Sequence, residues 1–314
     1  MSLRWCSLIF VLPLSAQVHF VPQKLDINID GKPFTTFWAG EGANKPYLWP
    51  LRSADGKVIT RRWPMEKDTG ESHDHLHHRG LWFSYDGVNG AHFWANDPSY
   101  TTKDPHVGKI VVTKLTYADG DKAGTLAMQA DWTGPDGKVL IHENRTTIFH
   151  SDPTLRIMDF DIRLTAAENV TFEDSKEGAF AIRLADELSE KKTGHMVNAE
   201  GKRGMADVWG KRSNWVDYSG EVDGEKLGVA IFDSPSNPRH PVYWHSRDYG
   251  LFALDPFGQH AFDPSQPESH WELPAGKSIR FRYRVVIHPG DTESAHIADM
   301  YQRWTHEASR TASE

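Results

Sequence analysis

Lys277-Ser278-Ile279-Arg280-Phe281-Arg282-Tyr283-Arg284-Val285-Val286-Ile287 reads as one strand. Ile279, Phe281, Tyr283, Val285 and Ile287 fall on one side, and Arg280, Arg282 and Arg284 on the other. A period of two with apolar and cationic faces predicts a strand that turns only one side to a core. The same alternation recurs upstream. Leu126, Met128, Ala130 and Trp132 share one face, as do Met158, Phe160, Ile162 and Leu164, which is the mark of antiparallel sheets with one face on the core.

These strands belong to a longer series. Val18 to Trp38 reads as a hairpin around Asp30-Gly31, and another turn falls at Asp55-Gly56. Strands over 110–117, 125–132, 139–149 and 155–164 form a meander, punctuated by Asp119-Gly120, Pro135-Asp136-Gly137 and Asp152-Pro153. Residues 170–220 are less regular. Short strands follow at 228–232 and 251–254, and a helix from about Thr292 carries Ile297, Met300, Tyr301 and Trp304 at helical spacing. One helix against ten or more strands predicts a single large antiparallel all-β sandwich over 17–307, with a disordered tail over 308–314.

Of 314 residues, 39% are hydrophobic and 25% charged, as in an ordinary globular protein. The net charge of -8 argues against nucleic acid or an anionic membrane as a general partner. No apolar run approaches the ~20 residues of a membrane span. Arg4, the apolar Leu8 to Leu14 and Leu14-Ser15-Ala16 read as a secretory signal over 1–16, with the mature chain starting near Gln17 and reaching the periplasm or the exterior. The alternative is a buried first strand or a misassigned start. Cys6 is the only cysteine, so cleavage would leave no thiol for disulfides, metal or nucleophilic catalysis.

Chemistry concentrates in His73-Asp74-His75-Leu76-His77-His78-Arg79-Gly80-Leu81-Trp82-Phe83-Ser84-Tyr85, where four of seventeen histidines fall within six residues. Imidazoles and a guanidinium lose hydration on burial and need partners, so crowding them at the mouth of a strand points to a polar site. Three readings stand side by side: a sugar site with acid–base histidines, a divalent-metal site, and a structural polar cluster. The first requires no cofactor, since imidazole both gives and takes protons near neutrality. The second uses His75 and His77, with Glu177 or His240 as distant ligands for zinc, iron or manganese. If 76–82 is extended, His77 and Arg79 share one face and His78 takes the other.

Glu177 is the preferred proton-transfer carboxylate, because it precedes Gly178 at the edge of a strand-like segment; Asp174, Asp248 and Asp255 are the alternatives. A solvated loop charge is the plain reading of each. Arg239, His240 and His245 lie on or beside the proline-rich Asp233 to Pro241, whose rigidity suits ligand binding or a structural turn equally. Trp82, Trp94, Trp244 and Trp271, among twelve tryptophans, sit beside polar residues in a manner suited to stacking on pyranose rings, although core packing serves any one of them as well. No phosphate loop, Gly-x-Ser-x-Gly elbow, His-Glu-x-x-His helix or dinucleotide fingerprint occurs, which argues against nucleotide-dependent, serine-hydrolase and zincin chemistry.

Five segments together resemble a bacterial family of unknown function often labelled "methane oxygenase PmoA". They are Asp74 to Phe83, Phe172 to Gly178, Gly210 to Tyr218, Asn237 to Pro241 with its Trp-His and Arg-Asp-Tyr continuation, and Phe281 to Gly290. The methane-oxygenase label demands a membrane copper assembly that nothing in the chain supports. The resemblance implies an exported bacterial protein with a fold similar to the galactose mutarotase supersandwich. On that basis the chain is expected to act on carbohydrate as an epimerase, lyase or hydrolase. One of His77, His78 or His240 would protonate a sugar oxygen and Glu177 would remove a proton. Arg79, Trp82, Arg239, Trp244, His245 and Asp248 would bind substrate. A non-catalytic glycan-binding protein and a histidine-ligated metal-dependent oxygenase are the alternatives.

Overall fold

A computed structural model describes residues 18–21, 25–40, 42–67 and 70–311. The proposed signal segment lies outside these residues. Two sheets make up the body, of twelve and eight strands among the described residues, and their paired strands run antiparallel. The smaller sheet holds the meander in the order His195–Asn198, Trp215–Val222, Glu225–Asp233, Ser278–Pro289, Arg156–Ala166, Val139–His150, Ala123–Thr133 and Lys109–Ala118. Its apolar faces are those expected: Phe281, Tyr283 and Val285, and likewise Met158, Ile162 and Leu164, are completely buried.

The larger sheet places Lys32–Trp38, Tyr47–Leu48, Leu81–Val88, Gly178–Arg183, Leu251–Asp255, Val242–Trp244 and Arg212–Ser213 side by side. The core forms where the two sheets meet. Phe83 packs against Phe281 at 5.9 Å between ring centroids, Phe160 against Phe180 at 4.9 Å, and Phe180 against Tyr283 at 4.7 Å.

The cationic side of Ser278–Pro289 faces outward over carboxylates of its neighbour. Arg284 grips Asp159 through two hydrogen bonds of 2.7 and 2.6 Å, and Arg280 pairs with Asp161. The final helix runs Ile297–Thr311, later than the pattern suggests, because Thr292 is held by a 2.6 Å hydrogen bond to the buried Asp217 before the helix begins. Tyr301 and Trp304 lay an apolar patch over Phe232 and Val286, which explains why Val286 is buried on the side opposite its neighbours. Residues 312–314 lie outside the described part. The stretch 170–220 is more regular than expected, with strands Gly178–Arg183, His195–Asn198 and Trp215–Val222 and a short helix Met205–Val208.

Candidate functional site

All eight residues of Leu81–Val88 are buried, so the chain must enter this strand through a tight approach. Gly80 makes the entry at φ +55°, and a Cβ there would sit 2.1 Å from the Leu48 carbonyl oxygen; no other residue fits. Immediately before it the chain turns, with His75 at φ 44° and the His78 N–H donating to the His75 carbonyl at 3.0 Å. The condition under which His77 and His78 would part, an extended 76–82, is therefore not met; the chain bends. The turn gathers the rings instead. His75 stacks on His78 at 4.6 Å, His77 meets His78 edge-on at 4.4 Å, and Tyr249 stacks on the other side of the group, 5.3 Å from His75.

Two completely buried arginines support this turn. Arg61 donates to the carbonyls of Asp74, His75 and His78, and Arg183 donates to Asp74 Oδ1 at 2.8 Å and to Ser72 Oγ at 3.0 Å. Asp74 is the counter-charge for both. Burial alone would raise its pKa, but the hydrogen bond to His75 and the charges of Arg183 and Arg61 take it below the ordinary carboxylate range. Arg183 also lies beneath the Tyr249 ring, 4.7 Å from its centroid.

Arg183 sets the tautomer of His78. Arg183 Nη1 lies 3.3 Å from His78 Nδ1; a guanidinium only donates, so Nδ1 accepts and the ring proton sits on Nε2. Burial, then neighbouring positive groups, lowers both His77 and His78 well below the usual imidazole range. Both are neutral near pH 7. His77 is 8% exposed and 3.4 Å from the Tyr100 hydroxyl, whereas His78 is 1% exposed and packed on Trp82 at 5.2 Å. His78, expected as a catalytic residue, is therefore enclosed, whereas His75, His77 and Tyr249 lie nearer the surface.

Beyond the turn, the outer face of the larger sheet continues the site. Leu81, Phe83 and Tyr85 point into the main core, so Trp82, Ser84 and Asp86 take the opposite side, with Ala181, Leu251 and Ala253. Buried polar atoms with no partner among the described residues lie along this side: His78 Nε2, Trp82 Nε1, Ser84 Oγ and Asp255 Oδ2. Lys45 is buried beneath it, bonded to Asn96 Oδ1 at 2.8 Å and lying over Trp82, and burial pulls it down to about 7 while Asp86 opposes. His245 Nδ1 donates to the Lys176 carbonyl, 2.5 Å away, and burial lowers its pKa to about 4 against the opposing charge of Glu177. Glu177 itself is partly exposed and pairs with Lys176 at 3.2 Å.

The remaining expected residues separate. Arg79 is tied to Asp97 at 2.9 Å. Asp248 lies 3.9 Å from Lys191 at the surface. Trp82 and Trp244 are completely buried, so the expectation that they stack on substrate is corrected; Trp244 donates to the Ser213 carbonyl at 2.9 Å and belongs to the core. His240 is held 2.7 Å from the buried Asp233, and Arg239 spans the carbonyls of Pro256 and Phe257 and stacks on Trp271 at 5.2 Å. Among the described residues no three His, Cys, Asp or Glu side chains have a metal-holding arrangement.

Sequence reasoning missed Arg61, Arg183 and Tyr249 as parts of the site. Arg183 carried a signal, a lone cation inside the apolar Ala179 to Leu184, where a charge demands a partner.

Residues 24–302 match the model of a family described as Family of unknown function (DUF6807). The chain belongs to that family. Its description names no activity, and the methane-oxygenase label finds no support in it. No curated protein matches the chain. Among solved structures, the galactosidase domain of an α-galactosidase–sucrose kinase is similar at TM-score 0.43 and 11% identity, over 87% of this chain and 42% of that one. An α-galactosidase from Lactobacillus brevis gives 0.41 and 8%, over 87% and 41%. A galactose mutarotase related enzyme from Lactobacillus acidophilus gives 0.33 and 10%, over 90% and 97%. The chain thus spans about two fifths of the length of these α-galactosidases. No helix among the described residues is long and apolar enough to cross a membrane.

Proposed function

We propose that this member of the family is an exported carbohydrate-active enzyme whose substrate lies along the outer face of the larger sheet, beginning at the histidine turn. The observation that carries the reading is the stack of Tyr249, His75 and His78 with His77 against it, held over two buried arginines. Flat rings rimmed by fixed hydrogen-bonding groups suit a pyranose, which offers an apolar face and a belt of hydroxyls.

Neutral His77 accepts a proton from a sugar hydroxyl or ring carbon, because its depressed pKa leaves the nitrogen free near pH 7. Tyr249, whose phenol is raised chiefly by burial, keeps its proton and donates. This reverses the direction expected of a mutarotase-like mechanism, in which a histidine supplies the proton. Glu177 lies further along the face, beside His245, to meet an adjoining unit.

The test is turnover of an oligosaccharide panel by the chain expressed from Gln17, compared with His77→Ala. The account expects rate losses of about 10²- to 10⁴-fold with binding kept; an unchanged rate removes His77 from the chemistry. Binding without turnover in the unmodified protein, abolished by Tyr249→Ala, would make it a glycan-binding protein. A metal equivalent bound per chain and lost in a His75→Ala, His77→Ala double variant would support the metal reading instead.

A further inference from the structure

At the far end of the same face lies a cavity of about 220 Å³ lined by Arg212, Arg239, Tyr243, Asp255 and Gln259. Register places it there. Leu251 pairs with Arg183, next to the histidine turn, whereas Asp255 closes the strand at the other end. Four strand residues separate the two by ~13 Å. The volume is below the roughly 300–1,000 Å³ of a whole ligand pocket, so the cavity fits one group of a larger ligand.

Its lining is cationic, with the carboxylates of Asp174 and Glu177 outside it but near enough to act on Asp255. Neither Arg212 nor Arg239 makes an ion pair among the described residues, and backbone carbonyls hold both guanidinium groups in place instead. Arg212 donates to the carbonyls of Pro241 at 2.7 Å and Arg239 at 2.9 Å. Arg239 reaches the carbonyls of Pro256 and Phe257, and Ser269 Oγ. The one carboxyl group in the lining, Asp255, is completely buried. Its Oδ1 accepts from the N–H groups of Phe257 and Gly258 at 2.7 and 2.9 Å, and its Oδ2 has no partner. Burial pushes this carboxyl up to about 7, so below neutrality it carries a proton to donate and does not cancel the arginines. Two fixed guanidinium groups and an unpartnered carboxyl oxygen around a small cavity are the complement of a planar anion.

We propose that this cavity is the subsite for the carboxylate of an acidic sugar unit, one end of a saccharide whose other end lies at the histidine turn. The inference rests on the carbohydrate reading above and narrows it to uronate-containing substrates.

Calorimetric titration with an oligogalacturonate and with its carboxyl-reduced, neutral counterpart tests it, using the unmodified chain and Arg212→Gln. Arg212 is exposed, so this change spares the core, and near-ultraviolet circular dichroism checks the fold. The unmodified chain is expected to prefer the acidic saccharide by about tenfold or more, a preference that weakens with added salt. Arg212→Gln is expected to lose the preference while its affinity for the neutral saccharide stays the same. Equal affinity of the unmodified chain for both saccharides, or a preference kept by Arg212→Gln, overturns the subsite and leaves the carbohydrate reading standing. Binding of neither saccharide overturns both.

Discussion

Asp217 and His288 are both buried, and the His288 ring nitrogen Nε2 lies 2.9 Å from Asp217 Oδ1. Burial would lower the imidazole pKa, but the carboxylate overrides it and raises it above the ordinary value. A raised pKa in the folded state fixes the sign. The pair contributes fully below the unfolded histidine pKa of about 6.5, and its contribution is lost as pH rises through the folded value. Asp217→Ala leaves a buried imidazolium alone, and is expected to cost roughly 3–5 kcal/mol near pH 6 and clearly less near pH 9. Urea unfolding of both proteins at the two pH values measures this; an equal loss at both would show that the pair is not charged in the native state. At the candidate site the same reasoning runs the other way. His77 and His78 are buried with positive groups rather than a carboxylate beside them, so burial, reinforced by those charges, keeps them neutral.

At the level of elements, the histidine turn depends on its passage into Leu81–Val88. Gly80→Ala adds a methyl group 2.1 Å from the Leu48 carbonyl at a φ of +55°, so either the turn or the Tyr47–Leu48 strand must move. The expected loss is more than about 3 kcal/mol, with the activity lost alongside; a variant with unchanged thermal stability would mean that this approach is looser than described. Strands such as Ser278–Pro289 and Arg156–Ala166 were legible because each has one dry face and one charged face. Gly178–Arg183 was not, because every residue in it is buried and burial on both faces erases alternation; the equally buried Leu251–Asp255 was found only as a short apolar run. The turn at His75–His78 could not be told from an extended approach for a related reason. A positive φ at histidine leaves no trace in composition, and only Gly80 hinted at the bend.

In the whole molecule, the smaller sheet carries the alternating apolar and charged strands and the larger sheet carries the candidate site. Its outer face draws residues from three distant parts of the chain: the turn at 73–80, the segment from Lys176 to Arg183, and the segment from His245 to Asp255. Sequence reasoning found chemistry-bearing residues in each part but had no means of joining them, since long-range pairing of buried strands decides which ones meet. It joined His240 to the histidine turn, where the fold ties His240 to Asp233 instead. The central claim is that a saccharide lies along this face. A crystal structure of the protein with the tightest-binding oligosaccharide from the panel tests it most directly. The account predicts a sugar ring against His75 and Tyr249, with the chain running toward Arg212 and Arg239. A saccharide bound on the outer face of the smaller sheet, with the histidine turn untouched, would contradict it.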